Sequence, residues 1–428
     1  MAIYANDGFI NNSKGIIHSK SGWSIEDKDG NLNPPPLTEP SYYKTITHSS
    51  AAANDNFGYS VAVGSGRIVV GAYIDDIGIG LTNAGSAHVY DLNGNYVGIL
   101  THPSAVADDY FGQSVAVGSG RIVVGAYNDT VNGISGAGSA HVYDLSGNYV
   151  GILTHPSAVA YDSFGQSVAV GCGRIVVGAP YDDVNGTSGA GSAHVYDLNR
   201  NYVGILTHPS AVASDSFGNS VAVGCGRIVV GASGDDVNGI SGAGSAHIYD
   251  LSGNYVGILT HPSAATDDSF GQSVAVGSGR IVVGASADDI GIGLTDAGSA
   301  LIYDLNGNYV GIITHPSAAY DNFGYSVAVG SGRIVVGAYS DIVNGIPGAG
   351  SALIYDLNGN YVGIMTHPSA AFNDYFGISV AVGSGRIVVG APYDDIGIGL
   401  TNAGSAHIYN LSDTIDTYYE QIIDNYKY

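Results

Sequence analysis

The chain is short of cysteine, of basic residues and of glutamate. Its 428 residues include two cysteines, 13 lysines and arginines, and three glutamates among 37 acidic residues, and its formal net charge is −24. A negative charge of this size opposes binding to the phosphate backbone of a nucleic acid, so we expect no nucleic-acid partner. An excess of aspartate over glutamate is typical first of turns and second of calcium sites.

Long apolar segments and catalytic motifs are also missing. No run approaches the ~20 apolar residues that a membrane-spanning helix needs, so we expect no membrane span. Residues 1–7 have neither the basic region nor the apolar stretch of a secretory signal. The sequence contains no nucleophile elbow, no triad of metal ligands and no phosphate-binding loop, so we predict no enzyme activity and no metal site.

What the chain has in abundance is one unit of about 53 residues, present seven times. Each copy contains Phe-Gly, then Ser-Val-Ala-Val, then Arg-Ile-Val-Val-Gly-Ala. Repeats of this length that are built from short β-like runs indicate a propeller or a solenoid. The Phe-Gly pairs begin at Phe57, Phe111, Phe164, Phe217, Phe270, Phe323 and Phe376.

Each unit carries four strand signals. In the first unit they cover residues 57–63, 67–72, 87–92 and 96–102, where apolar and polar residues alternate or β-branched residues follow one another. Short Gly-Ser-Gly and Asn-Gly segments join the first strand to the second and the third to the fourth, which predicts tight hairpins. The other two connections are long. The unit therefore predicts one blade, and the chain an all-β fold that is a seven-bladed β-propeller of four-stranded antiparallel blades.

The two ends of the repeated region predict a closed ring. The seventh unit lacks a fourth strand, and residues 43–48 align with the fourth strands of the other units. An N-terminal strand would therefore complete the last blade and close the ring. We predict three regions: residues 1–41 as a docking segment with a proline-rich linker, 42–411 as the propeller, and 412–428 as a C-terminal amphipathic helix.

The regions outside the ring are predicted to anchor the protein. Residues 1–41 contain the only tryptophan, Trp23, and end in a proline-rich stretch. Residues 412–428 place apolar residues at helical spacing, and a helix this short needs a surface to lie on, either its own propeller or a partner chain. The predicted anchoring residues are Trp23, Ile415, Tyr419, Ile422 and Tyr426.

The repeated residues of the strands predict packing and cross-strand pairs. The seven phenylalanines are expected to form the core between neighbouring blades. If Ala72 pairs with Ser86, Arg67 lies opposite Asp91, and the same register predicts cross-strand ion pairs in six blades; a ring of arginines that binds anions is the alternative. Cys172 and Cys225 stand where the other blades have serine, and we interpret them as serine-sized replacements, with a disulfide between blades as the alternative.

The two long loops vary between units while the strands hardly change, and both loops emerge at the same end of the blade. Variable loops on a fixed scaffold are where recognition usually occurs, and tyrosine with aspartate suits contact with a glycan or a protein. Drift of surface loops after duplication is the alternative. The predicted binding residues are Tyr73, Asp75, Asp76, Asp108, Asp109, Tyr110, Tyr127, Asp129, Tyr161, Asp162, Tyr181, Asp182, Asp183, Asp235, Asp236, Asp288, Asp289, Tyr320, Asp321, Tyr339, Asp341, Asp374, Tyr375, Tyr393, Asp394 and Asp395.

Metal binding has two weaker candidates, and we expect no cofactor. Paired loop aspartates such as Asp182 and Asp183, with Asn185, offer the oxygen ligands that calcium prefers. Histidine recurs in Thr-His-Pro segments and in the third strands, where blades five and six have Leu301 and Leu353 instead. A position that accepts leucine favours packing over a ring of metal sites.

The Phe-Gly, Ser-Val-Ala-Val and Ile-Val-Val-Gly-Ala-Pro segments, as in residues 376–392, resemble the FG-GAP repeat family. The likeness covers about residues 43–411. It implies a seven-bladed propeller, similar to that of integrin α subunits and of bacterial and viral surface proteins, which binds partners through its loop face. Many members carry an aspartate-rich calcium loop between the first and second strands. Here that place holds Gly118-Ser119-Gly120 and its equivalents, so the resemblance does not carry that site over.

Two functions fit these patterns. The first is a non-enzymatic virion protein of a bacteriophage, attached to other virion or surface proteins through residues 1–41 and displaying the propeller for recognition of a host surface. The second is a soluble or cell-surface adhesion protein, similar to a lectin, that binds glycan or protein through the loop face. The expected location is the virion for the first, and the extracellular space or cell surface for the second.

Overall fold

The computed structural model describes residues 39–290, 295–316 and 320–411 in full, and the backbone of four strands within residues 1–38. Those four strands form an antiparallel sheet in chain order: β1 (Ala2–Tyr4), β2 (Phe9–Asn12), β3 (Gly15–His18) and β4 (Ser24–Glu26). Residues 40–411 form a separate compact unit. Trp23 and the C-terminal helix predicted for residues 412–428, with Ile415, Tyr419, Ile422 and Tyr426, lie outside the described residues.

Residues 40–411 fold into seven four-stranded antiparallel sheets, which confirms the predicted blades. The first strands are β6 (Ser60–Gly64), β10 (Ser114–Gly118), β14 (Ser167–Gly171), β18 (Phe217–Gly224), β22 (Ser273–Gly277), β26 (Ser326–Gly330) and β30 (Ser379–Gly383). The second strands are β7 (Arg67–Ala72), β11 (Arg121–Ala126), β15 (Arg174–Ala179), β19 (Arg227–Ala232), β23 (Arg280–Ala285), β27 (Arg333–Ala338) and β31 (Arg386–Ala391).

The outer half of each blade completes the sheet. The third strands are β8 (Ser86–Asp91), β12 (Ser139–Asp144), β16 (Ser192–Asp197), β20 (Ser245–Asp250), β24 (Ser299–Asp304), β28 (Ser351–Tyr355) and β32 (Ser405–Asn410). The fourth strands are β9 (Tyr96–Thr101), β13 (Tyr149–Thr154), β17 (Tyr202–Thr207), β21 (Tyr255–Thr260), β25 (Tyr309–Thr314), β29 (Tyr361–Thr366) and, from the N-terminal side, β5 (Ser41–Thr47).

The ring closes through β5, as the sequence predicts. β5 pairs antiparallel with β32 of the seventh blade, with Thr47 opposite Ser405 and Ile46 opposite Ala406. The first strands of all seven blades follow one another around a central channel, and their Val-Ala-Val side chains line a cavity of about 220 Å³. The seventh blade therefore holds both ends of the ring in one sheet.

The short turns lie at one end of the blades, which we call the hairpin face. Between β6 and β7 both turn residues have positive φ, +48° at Ser65 and +77° at Gly66. This is the geometry of a type I′ hairpin, whose twist matches that of the strands. Cys172 and Cys225 occupy the serine position with φ of +50°. Both are free and exposed, which confirms their interpretation as serine replacements.

The apolar core lies between neighbouring blades. Phe111 of the second blade is fully buried together with Val69 and Leu100 of the first blade and Ile122 of its own blade. The corresponding cluster at the closure joins Phe57 to side chains of the seventh blade. The predicted role of the seven phenylalanines is confirmed: each blade supplies a ring that its neighbour covers.

Four arginines have the predicted register, but their Nε atoms donate to the next blade and not to the opposite aspartates. Arg67 pairs in register with Asp91, yet its Nε donates to the carbonyl oxygen of Leu145 in the next blade at 2.9 Å. The Asp91 carboxylate instead accepts hydrogen bonds from the backbone N–H groups of Asn93 and Asn95. The same donation to the next blade occurs for Arg174, Arg227, Arg280 and Arg386. The guanidinium groups thus link neighbouring blades at the hairpin face. The arginine side chain is long enough to contact the backbone of the next blade.

Candidate functional site

The two long loops of neighbouring blades are joined to each other at the end opposite the hairpin face, which we call the loop face. The backbone N–H groups of Asp108 and Phe111 donate to the carbonyl oxygens of Thr82 and Ala84, at 2.9 and 3.0 Å. Equivalent bonds recur around the ring, for example from Phe164 to Ala137. Backbone hydrogen bonds therefore connect the described parts of the variable loops from one blade to the next.

One aspartate of each long loop, at the position of Asp109 in one kind of loop and of Asp129 in the other, is buried or nearly so. Oδ2 of Asp109 accepts the backbone N–H of Val106 at 2.7 Å, and Oδ2 of Asp129 lies 3.2 Å from Nε2 of His102. An aspartate in these places serves the fold, because a histidine ring nitrogen lies within 4.0 Å of the carboxylate in all seven units at the Asp129 position and in six at the Asp109 position. The predicted residues in these two positions are Asp75, Asp109, Asp129, Asp162, Asp182, Asp235, Asp288, Asp321, Asp341, Asp374 and Asp394.

Each Thr-His-Pro histidine connects two blades through these aspartates. His102 lies between Asp109 and Asp129, and its ring contacts the ring of His141 in the next blade at 4.2 Å between centroids. Nε2 of His141 shares a hydrogen bond of 2.9 Å with the hydroxyl of Ser139. Burial lowers the pKa of His141 to about 3, so this imidazole is neutral. His102, Asp129 and His141 have ligating atoms within 4.8 Å of one another, a spacing that hydrogen bonding among the side chains explains.

Blades five and six vary this arrangement, because Leu301 and Leu353 replace the second histidine. Nδ1 of His315 lies 3.1 Å from Asp321, and its Nε2 lies 3.5 Å from Asp341. Burial by itself would lower the pKa of His315, but the two carboxylates outweigh it and raise the pKa to about 9. His315 is therefore a buried imidazolium at neutral pH.

Five of the strand-two to strand-three loops have a second aspartate, which is exposed and stabilises its own loop. Oδ1 of Asp183 accepts the backbone N–H of Gly189 at 2.8 Å, and Oδ1 of Asp76 accepts that of Asn83 at 2.8 Å. Asp108, in the other loop, accepts the side-chain amide of Asn83. The predicted residues that make the same backbone contact are Asp236, Asp289 and Asp395.

The predicted tyrosines fall into two groups. Tyr161, Tyr181 and Tyr320 are more than half exposed. The others are partly buried and contact one another in two chains, at centroid distances of 4.3–6.0 Å. We call these two chains the tyrosine arc: Tyr59, Tyr73, Tyr110 and Tyr127 in blades one and two, and Tyr325, Tyr339, Tyr375 and Tyr393 in blades six and seven.

The arc begins at the mouth of the central channel, which is formed by the residue that follows each Phe-Gly pair. These seven side chains border one cavity of about 240 Å³ at the loop-face end of the first strands. The serine that follows each of these residues makes a hydrogen bond to the next blade. Oγ of Ser60, for example, donates to the carbonyl oxygen of Gly112 at 2.7 Å. The mouth residues are Tyr59, Gln113, Gln166, Asn219, Gln272, Tyr325 and Ile378.

The mouth has unsatisfied hydrogen-bonding capacity. Among the residues that the structure describes, no hydrogen-bond partner reaches the buried Oε1 of Gln113 or the buried Oδ1 of Asn219. Burial is the main cause that raises the pKa of Tyr59 and of Tyr325, and neighbouring tyrosines contribute. Both phenols are therefore neutral at physiological pH and keep their hydroxyl protons, so the mouth offers donors and acceptors without charge.

A comparison with known families matches the whole ring. The FG-GAP repeat profile matches residues 43–90, 96–143, 149–196, 202–249, 255–303, 312–355 and 362–409. The chain belongs to the FG-GAP repeat family. A comparison with curated proteins found no match. FG-GAP propellers generally bind a protein or another ligand and are generally not catalysts.

The FG-GAP unit spans the contact between two blades. The match at residues 96–143 begins at the fourth strand of the first blade and ends in the third strand of the second. It thus contains His102, Asp109 and Asp129, which join those blades. No helix in the part of the chain that the structure describes is long and apolar enough to cross a bilayer.

None of the seven mouth residues was among the binding residues predicted from the sequence. A signal was present in the repeats: the segment that leads into each first strand and forms it reads Phe-Gly-x-Ser-Val-Ala-Val-Gly, and x is the one position that differs between the seven copies. The seven x residues become one site only when the strands are arranged around a common axis. In the first unit the position falls within the strand predicted for residues 57–63, whereas the structure places it just before the strand.

Proposed function

We propose that this protein is a non-enzymatic recognition protein whose mouth and tyrosine arc bind a receptor, either a glycan or a protein. The observation that carries the proposal is the convergence of variation: seven otherwise identical Phe-Gly-x-Ser-Val-Ala-Val-Gly segments differ at one position, and those seven positions border a single cavity. A concave site with aromatic and polar groups on a rigid scaffold has the usual features of a ligand site.

The chemistry of the lining supports binding over catalysis. The cavity is bordered by tyrosine, glutamine, asparagine, isoleucine, serine and valine. None of these side chains is a general base near neutral pH, because the tyrosines keep their protons and the amides do not titrate. Phenol and amide groups instead suit hydrogen bonding and stacking against a neutral ligand.

The native cysteines give a direct test of which face binds. Cys172 and Cys225 are exposed on the hairpin face, so biotin attached to them holds the protein on a streptavidin bead with its loop face outward. A matched protein carries Cys172→Ser, Cys225→Ser and Ala107→Cys, which moves the attachment to an exposed loop-face residue. In the other five blades serine occupies the position of Cys172 and Cys225, so the two cysteine-to-serine substitutions should leave the scaffold unchanged.

Beads of both kinds would be incubated with a glycan array and with an array of bacterial surface proteins. Binding by the loop-outward beads, and its loss when Ala107→Cys holds the loop face against the bead, is the result that the proposal predicts. Equal binding in both orientations, or binding only by the loop-inward beads, would contradict it. Equal melting temperatures of the two proteins serve as the folding control.

Attachment to a virion is a further part of the proposal, with the chain as a recognition protein of a bacteriophage. Peptide mass spectrometry on purified particles and on cell fractions of the source culture tests it. A fixed number of copies per particle is expected. Recovery only from soluble or cell-surface fractions would instead support the adhesion protein, and the loop-face proposal would stand in either case.

A further inference from the structure

We infer that the mouth of the channel binds one neutral sugar residue, with the ring of the sugar against the tyrosine side and its hydroxyl groups against the amide side. This inference rests on the proposed function and names its ligand class. Three independent features of the mouth carry it: its size, the order of its residues around the ring, and its unpaired acceptors.

The size of the mouth fits a small ligand. Its volume is about 240 Å³. Sites for drug-sized molecules usually measure ~300–1,000 Å³, so this cavity admits about one ring with its substituents. Larger ligands would reach it only with a terminal group, as a glycan does with its terminal residue.

The seven mouth residues are sorted into two walls. Blades six, seven and one supply Tyr325, Ile378 and Tyr59, which are apolar or aromatic, and the rings of Tyr325 and Tyr59 are held by contacts with other tyrosines at 4.7 and 4.3 Å. Blades two to five supply only amides, namely Gln113, Gln166, Asn219 and Gln272. A sugar has the same two sides, because its axial C–H groups form an apolar face and its hydroxyl groups form a polar edge.

The amide wall contains acceptors that need donors. Oε1 of Gln113 and Oδ1 of Asn219 are buried without a partner among the described residues. Other polar atoms of this wall already have partners. The side-chain nitrogen of Asn219 donates to the backbone carbonyl of Gln272, and Oε1 of Gln272 accepts a hydrogen bond from the hydroxyl of Ser286. A buried acceptor without a donor destabilises a protein, and ligand hydroxyl groups would satisfy both acceptors.

The charge of the site selects a neutral ligand. None of the residues that border the mouth is charged. An ionised ligand would therefore lose its hydration without gaining a counter-charge. The net charge of −24 adds long-range repulsion against anions. Anionic sugars should consequently bind more weakly than neutral ones.

The test uses the full chain and the methyl glycosides of glucose, galactose, mannose and N-acetylglucosamine, with glucuronate as the anionic probe. Saturation-transfer NMR and calorimetric titration report binding. At least one neutral glycoside should bind, and glucuronate should bind at least tenfold more weakly than that glycoside. Asn219→Ala should weaken binding about tenfold, and Tyr59→Ala should abolish the saturation transfer. Ser119→Ala, on the hairpin face, is the matched control and should leave the affinity unchanged.

Tyr325→Phe and Gln113→Ala guard against misfolding. Tyr325→Phe keeps the aromatic ring, so saturation transfer should persist with weaker affinity. Gln113→Ala removes the buried Oε1 acceptor, although the Gln113 residue as a whole is only partly buried. Absence of binding to all four glycosides, or affinity that is unchanged in Asn219→Ala and Tyr59→Ala, would overturn the inference. In that event the oriented-bead experiment still decides the proposed function, because a protein receptor that contacts the mouth and the tyrosine arc would bind there without affinity for a single sugar.

Discussion

Gly390 in the second strand of the seventh blade lies directly against Gly58, in the turn that precedes the first strand of the first blade, so that a Cβ on Gly390 would overlap the carbonyl oxygen of Gly58. The same contact joins Gly71 to Gly112 between the first two blades. One glycine comes from Gly-Ala and the other from Phe-Gly. The two glycines of the repeat motif are therefore required for the same reason, which is the close approach of neighbouring backbones.

Gly390→Ala should destabilise the ring, and Gly98→Ala should not. The first substitution places a methyl group in the contact with Gly58, and overpacking of this kind costs about 1–3 kcal/mol. A Cβ on Gly98, in β9, meets no atom within 4 Å, so alanine there should change stability by only a few tenths of a kcal/mol. Urea unfolding of both variants measures the difference. Equal destabilisation would show that loss of glycine as such, and not the contact, is responsible.

The stability contributed by His315 should decrease as the pH rises. Its pKa is about 9 in the folded protein, above the value near 6.5 of an unfolded histidine. The contribution is fully present below pH ~6.5 and is lost as the pH rises through the folded pKa. We therefore expect the difference in free energy of unfolding between the wild type and His315→Gln to decrease by about 2 kcal/mol between pH 6.5 and 9. A difference between the two proteins that stays constant over this range would contradict the buried ion pair.

His141→Leu should be tolerated far better than His141→Ala. Leu301 and Leu353 fill the same position in blades five and six, and Nδ1 of His141 has no hydrogen-bond partner among the described residues. The leucine variant should differ from the wild type by less than ~1.5 kcal/mol, whereas alanine leaves a cavity that costs ~2–5 kcal/mol. Thermal melts at neutral pH measure both. A leucine variant as unstable as the alanine variant would mean that His141 has a role that packing does not explain.

Removal of divalent metals should leave the melting temperature unchanged. Asp182 is held by His155 at 3.1 Å, and Asp183 by the backbone of Gly189, so the two carboxylates stabilise separate parts of the loop. A calcium site requires several oxygens directed at one point. Melting curves with EDTA and with added calcium test this. A rise in the melting temperature with calcium would support the paired-aspartate site that the sequence suggests as an alternative.

The sequence alone predicts the blade count, the strand register and the closure, because these depend on local patterns that recur seven times. The opposition of Arg67 and Asp91, for example, follows from counting residues between two strands, and the structure shows it. The arginine's actual partner, Leu145, belongs to the next blade. Contacts between blades depend on the angle between sheets, which the pattern within one unit does not contain.

The candidate site was only partly predictable for the same reason. Tyr73 and Tyr110 could be recognised as variable loop residues, and they do lie in the tyrosine arc. The buried aspartates could not be separated from exposed ones such as Asp183, because both types stand side by side in one loop. Their invariance from unit to unit distinguishes them in hindsight: positions that serve the contact between blades repeat, and positions that border the mouth vary.

A protein with a symmetrical mouth tests directly whether the mouth binds the receptor. Tyr59→Gln, Asn219→Gln, Tyr325→Gln and Ile378→Gln together place glutamine, already present in blades two, three and five, in all seven positions. Binding of this variant to a glycan array and to arrayed surface proteins would be compared with that of the wild type at equal melting temperature. We expect binding to be lost while the ring stays folded. An unchanged binding profile would show that the mouth does not recognise the ligand.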